Sequence, residues 1–312
     1  MSLQAEAAFS PLTPETLTNS LDAAATKQLA KQREAELKAD EEWRVKTDTL
    51  VLLPCLGAFK KDIQVPKGQT VTGDENWCLW PFQKGETERY VDDMRQVTEL
   101  TRIYQTALTV FSGGTRPDSG EWTEATTAYA TAEQNDWLLN GKSPIAAACD
   151  DTAYDSLTNV LGSLVKFYKL TGHYPKKLVI LGWDFKKQRF LEQHLRALRL
   201  NTIQVVYIGG HNPASDSGFV EGEATALSLF DKDPYGMNDK LYQKKLDRAS
   251  ADDLTHLLNG YVAVDSRLQG LIDHMKNPDV NHSIYTGELP WYQNESVAPV
   301  VNYTPLPTSL AA

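Results

Sequence analysis

The sequence predicts an α/β protein: a Rossmann-like parallel sheet of about five strands with helices on both faces. Three observations carry this. Short apolar runs recur at Thr49–Pro54, Ala107–Phe111, Ser143–Ala148, Lys177–Leu181 and Thr202–Ile208. Segments of helical periodicity separate them, and several runs stop at Gly, Ser or Asp. Uniformly apolar runs too short for helices are strands buried on both faces, and strand–helix alternation means parallel pairing with right-handed crossovers. The chain divides into an N-terminal helical extension (1–46), the Rossmann-like domain (47–210), and a mainly helical C-terminal extension and tail (211–312) packed on the core.

Thr13-Pro14-Glu15-Thr16 has the form of a helix start, with Thr as N-cap and Pro at the first helical position. The helix it opens, Glu15 to about Arg44, is expected to pack on the domain surface; a partner-binding helix is the sharper alternative. Thr49–Pro54 is the central strand. The segment Lys60–Gly85 is a loop-rich insertion in which Trp77 and Trp80 are expected to anchor the loop to the core. Tyr90, Met94, Val97, Thr101 and Tyr104 mark a crossover helix before the Ala107 strand. Another helix follows over Glu121–Leu139, and the third strand ends at Cys149-Asp150-Asp151. Leu157, Val160, Leu161, Leu164, Val165 and Tyr168 form the clearest apolar stripe, stopped by Gly172 and Pro175. Phe190, Leu191, His194, Leu195 and Leu198 stripe the helix before the fifth strand. Short helices are predicted at Glu221–Phe230, Lys240–Arg248, Ala251–Leu258 and Leu268–Met275, and a tail rich in Pro, Asn and Tyr lies along the surface.

With 312 residues, 41% hydrophobic and 23% charged, the chain has the composition of an ordinary globular protein. Its net charge of −10 and pI near 5.1 give no global attraction for polyphosphate, so nucleic acid is not an expected partner. Cys55, Cys78 and Cys149 lack CxxC spacing, which argues against a disulfide framework or zinc ribbon. No signal-like start and no long apolar run occur, so a cytoplasmic protein without a membrane span is expected.

Parallel strands gather their C-terminal ends on one edge of the sheet, which is where the candidate site is placed. Gly57, Ser112, Gly113, Gly114, Asp150 and Asp184, with Lys186 and Arg189, are expected to converge there. Backbone N–H groups of Ser112–Gly114 would cradle an anion, Asp150 and Asn159 would read hydroxyls or amides, and Lys186 with Arg189 would neutralise charge. The competing structural roles are a tight βα turn for Ser-Gly-Gly and helix initiation for Asp150, Asp151 or Asp155. No GxSxG elbow, no GxxxxGK[ST] loop and no i, i+4 histidine pair is present.

Phe111–Gly114 followed by Glu124-Ala125, then Asp150–Asn159, then Leu181–Arg189 resemble the YdcF/SanA/ElyC-like family in order and spacing, over about Leu50 to Ile208. Ser112, Gly113, Gly114, Glu124, Asp150, Ser156, Asn159, Phe185 and Arg189 match the family's polar edge or its supports. Asp150 stands where that family has Glu, Thr158 where it has another Glu, and Lys186 where it usually has His. Lysine is a poor acid/base near neutral pH unless its pKa is lowered, so these departures weaken catalysis more than binding. Asp233-Pro-Tyr-Gly236, with Leu241 and Lys244-Lys245 beyond it, is similar to fungal members.

The resemblance implies a Rossmann-like fold and no settled reaction. The leading expectation is a nucleotide-type or phosphorylated small-molecule ligand, with S-adenosylmethionine as a variant because similar sheets bind it. The alternatives are a metal-assisted phosphoester hydrolase or transferase using Asp150, Asp151 or Asp184, and a non-catalytic interaction protein with a vestigial site.

Overall fold

A computed structural model describes residues 19–141, 143–210, 212–213, 218–249 and 251–292, with the backbone of Val301–Pro305. The expected helix start at Thr13–Thr16 lies outside the described residues. The main sheet contains β1 (Thr49–Pro54), β2 (Ala107–Ser112), β3 (Ala147–Asp150), β4 (Lys177–Gly182), β5 (Gln204–Gly209) and β6 (Val301–Pro305). All pair in parallel, in the order β3-β2-β1-β4-β5-β6. The α/β fold and the five expected strands are therefore present. The tail, of which Val301–Pro305 is described, supplies a sixth strand on the β5 edge. Pro305, at that strand's end, suits an edge position where no further ladder partner needs its missing N–H.

Side chains alternate across the sheet. Leu50, Leu52, Leu108, Val110, Leu178 and Ile180 enter one apolar cluster, whereas Val51, Leu53, Phe111, Val179 and Leu181 enter the other. Period-two alternation with apolar residues on both faces is what a sandwiched parallel sheet requires. On the second face lie α1 (Ala23–Ala39), α2 (Thr87–Ile103) and α3 (Glu124–Gln134). The first face is covered by α4 (Ser156–Thr171), by the Arg189–Ala197 segment, and by the C-terminal helices α5 (Phe219–Lys232), α6 (Asp239–Leu246), α7 (Ala251–Val264) and α8 (Gln269–Lys276). Leu258, Tyr261, Leu271, Ile272 and Trp291 belong to the same cluster as the strands, so the C-terminal region shares the core.

Three elements differ in detail from expectation. The long N-terminal helix is broken at Asp40, which ends α1 and accepts the Trp43 N–H at 2.9 Å to cap a short helix, Glu41–Lys46. The strand expected at Ser143–Ala148 begins only at Ala147, because Ser143-Pro144 folds back on Leu139-Asn140 as a small hairpin. The stripe around Phe190 opens as a π-helical turn, Arg189–His194, closed by the Leu195 N–H on the Phe190 carbonyl. By contrast α4 matches its sequence signals: Asp155 caps it by accepting the Thr158 N–H at 2.8 Å, and Gly172 ends it with φ 86°. No described helix is long and apolar enough to cross a membrane.

Candidate functional site

The strand order decides where the site lies. Chain connections leave β1 toward β2 and leave β4 toward β5, so the loops after β1 and β4 diverge and open a crevice between them. A cavity of about 260 Å³ occupies that crevice, walled by Leu53–Leu56 at the end of β1 and Leu181–Trp183 at the end of β4. Residues from α3, α4, the π turn, α5 and α6 complete it.

Arg189, in the first position of the π turn, is buried and held in place. Its Nε and Nη2 donate to the two carboxylate oxygens of Glu223 on α5, each at 2.8 Å, and its Nη1 donates to Ser156 Oγ at 2.8 Å. Behind Ser156, His194 Nε2 lies 2.7 Å from the same Oγ. Burial, reinforced by the Arg189 charge, pushes the His194 pKa down to about 3, so its ring is neutral near pH 7. Arg116 is a second buried cation, paired with Glu124 and donating to the Leu56 carbonyl at 3.0 Å. These two guanidiniums are neutralised within the fold.

Three other cations are not. Lys186, Lys244 and Arg248 all line the cavity, and none has a carboxylate within ion-pair distance among the described residues. Arg248 donates one bond, to the Tyr154 carbonyl at 2.9 Å, and its buried Nε has no acceptor. Burial first, and the Arg116 charge second, lower its pKa to about 10. The Lys186 pKa falls to about 7 by burial first and then by the Arg189 charge. Lys244, on α6 and four residues before Arg248, is exposed.

Aromatic side chains line the cavity as well. Phe219 at the start of α5 sits 5.2 Å from Phe82, 5.3 Å from Trp183 and 5.8 Å from Phe185, centroid to centroid. Phe82 remains 43% exposed, and Trp80 stands beside it with the Arg116 guanidinium 5.8 Å over its ring. Cationic and aromatic side chains line the cavity together.

Glu124, Asn159, Lys186 and Arg189, named from sequence, line this cavity; Gly57, Ser112, Gly113, Gly114, Asp150 and Asp184 do not. The anion cradle expected at Ser112–Gly114 is corrected by its hydrogen bonds. The Gly113 N–H goes to the Asp150 carbonyl at 2.9 Å and the Gly114 N–H to the Ala153 carbonyl at 2.7 Å, so both donors are occupied. Gly113 instead permits close packing: a Cβ there would lie 2.7 Å from that of Glu124.

Ser112 Oγ donates to Asp150 Oδ2 at 2.7 Å, and Thr152 donates to Oδ1 at 2.9 Å. Burial raises the Asp150 pKa, and its carboxylate joins β2 to β3 away from the crevice. Among the described residues no three His, Cys, Asp or Glu side chains gather as a metal site. Gly57 packs on the Trp77 ring, where a Cβ would meet it at 3.1 Å. The anchoring role fits Trp77, whose Nε1 donates to the Val71 carbonyl at 3.1 Å, whereas Trp80 faces the cavity. Arg116, Glu223, Lys244, Arg248 and Phe219 were not singled out as site residues from sequence. The Lys244-Lys245 pair was a visible signal, but only the fold separates them: Lys245 turns inward onto Asp155 at 3.1 Å.

The chain is similar to uncharacterized protein YOR238W of Saccharomyces cerevisiae, 24% identical over 250 residues, covering 64% of this chain and 82% of that protein. No family model matches the chain. No solved structure matches it significantly.

Proposed function

We propose that this protein binds a small phosphorylated molecule of nucleotide type in the crevice between β1 and β4. One observation carries the reading: in a chain of net charge −10, Lys186, Lys244 and Arg248 line the cavity without carboxylate partners among the described residues, together with the rings of Trp80, Phe82 and Phe219. A phosphate would take up the unassigned donors of Arg248 and the two ammonium groups, and a flat ring system would lie against Phe82, Phe219 and Trp80. The same charges disfavour S-adenosylmethionine, whose sulfonium would enter a basic pocket. The likeness of Leu181–Arg189 to the YdcF-like pattern supports using this strand edge, and we propose membership of that family on the same residues.

The test is a thermal-shift titration with nucleoside mono- and diphosphates, sugar phosphates, inorganic phosphate and S-adenosylmethionine. A ligand at about 100 times its Kd stabilises the native state by about 2.7 kcal/mol, a Tm rise of several degrees for a protein of this size. We expect that rise with a phosphorylated compound and its loss in Lys244→Ala, Arg248→Ala. A rise with S-adenosylmethionine alone, or with no compound, would overturn the reading.

A further inference from the structure

We infer that Lys186 is a nucleophilic amine, and that the cavity accepts an aldehyde or ketone carrying an anionic group and captures it as an imine. The inference uses the crevice proposed above for phosphorylated ligands, but adds a covalent step that binding does not require. Its basis is placement. Lys186 ends a single 3₁₀ turn, Asp184–Lys186, whose Lys186 N–H bonds to the Trp183 carbonyl at 3.0 Å. Trp183 is itself fixed, fully buried with its Nε1 donating to Asp93 at 2.7 Å. The amine is therefore carried on a rigid base and projects along two rings, 5.4 Å from the Trp183 centroid and 5.5 Å from that of Phe185.

The charged groups facing Lys186 come from four elements. Arg189 lies on its own segment, Lys244 on α6, Glu223 on α5 and Asp93 on α2. The two cations disfavour an ammonium. Of the two acids, Glu223 is engaged by both arms of Arg189 and Asp93 accepts from Trp183. The rings favour the charged form through cation–π attraction, yet burial and Arg189 win, and the pKa falls to about 7. A lysine in apolar surroundings beside a second cation is the arrangement that frees an amine lone pair for attack on carbonyl carbon.

The step balances without an oxidant or reductant. The Nζ lone pair forms a C–N bond as the carbonyl π pair moves to oxygen, which takes a proton. The resulting carbinolamine loses that oxygen as water, leaving the C=N bond. Lys244 and Arg248 would hold the substrate's anionic group while the carbonyl meets Lys186.

Pyridoxal 5′-phosphate, which joins an aldehyde, an aromatic ring and a phosphate, is the probe, with pyridoxal as the phosphate-free arm. The full chain is incubated with each near pH 7, borohydride reduces any imine to a secondary amine, and peptide mapping locates the label. Lys186 should be labelled at least about tenfold faster than the exposed Lys232 in the same sample, because far more of its amine is unprotonated at that pH. That comparison needs no variant. Lys186→Arg should lose this label, and Arg248→Ala should slow the phosphate-bearing probe more than pyridoxal. Labelling at equal rates over the exposed lysines, or an unlabelled Lys186 in a protein whose Tm rises with nucleotides, overturns the inference. Selective labelling of Lys186 with no nucleotide shift would uphold it and remove the proposed function instead.

Discussion

His194 shows how one buried ring can set the acid limit of the fold. It faces Arg189, Asp155 and Lys245, and burial with the Arg189 charge lowers its pKa to about 3 from an ordinary 6.5. Between those values the unfolded chain binds a proton that the native state refuses, so stability falls as pH drops from 6.5 toward 3. The loss can reach about 4 kcal/mol. Asp150 acts in the opposite sense: its pKa is raised, so protonation in acid relieves a burial penalty. We expect His194→Gln to lose less stability than the parent between pH 6.5 and 4, as read from urea midpoints. Parallel pH profiles would contradict this. His194 was legible as a core residue because it falls on an apolar stripe, and Lys186 stood out as a departure from a family pattern. Arg248 was not legible, because its role depends on an unsatisfied Nε and a carbonyl ninety-four residues earlier in the chain.

At the scale of elements, α4 carries two functions at its first turn. Asp155 caps the helix through the Thr158 N–H and also neutralises Lys245, which is 1% exposed and otherwise donates to the Tyr235 carbonyl at 2.8 Å. Asp155→Asn keeps a capping oxygen but strands the ammonium, so we expect a loss of about 3–5 kcal/mol in chemical denaturation. Adding Lys245→Met should recover most of it, since the cost is an uncompensated buried charge. An additive double variant would mean that the pair does not couple. The cap was readable from Asp followed by an apolar stripe; the pair was not, because nothing local links residues ninety apart. The π turn escaped for a related reason. Apolar spacing in Phe190–Leu198 is that of an ordinary helix, and the wider turn shows only in which carbonyl receives the Leu195 N–H.

For the whole molecule, strands were legible one by one but their order was not. Convergence of strand ends on one edge follows from parallel pairing alone, whereas the crevice follows from β1 and β4 being neighbours. From sequence alone the site therefore centres on the ends of β2 and β3, beside the crevice, and includes Arg189 and Lys186 because β4 ends at it. The tail strand was missed because a short Pro-containing stretch far from the other strands carries little pattern. It covers an edge, and that role is testable. A chain ending at Tyr292 leaves the β5 backbone unpaired, and exposed edges recruit other strands. Such a chain should scatter light at concentrations where the parent stays clear, and melt lower. An equally dispersed chain with unchanged Tm would show that β6 is dispensable.

The walls of the crevice run from Leu53 to Arg248 in the chain. During synthesis the first wall is made long before the last, and a nascent chain that stops short of α6 has the aromatic residues without two of the cations that line the cavity with them. A ligand held as proposed would therefore recognise only chains that extend past Arg248. Once bound, it would clasp the earliest strand of the sheet to a helix made almost two hundred residues later, slowing the opening of the native protein more than it speeds folding.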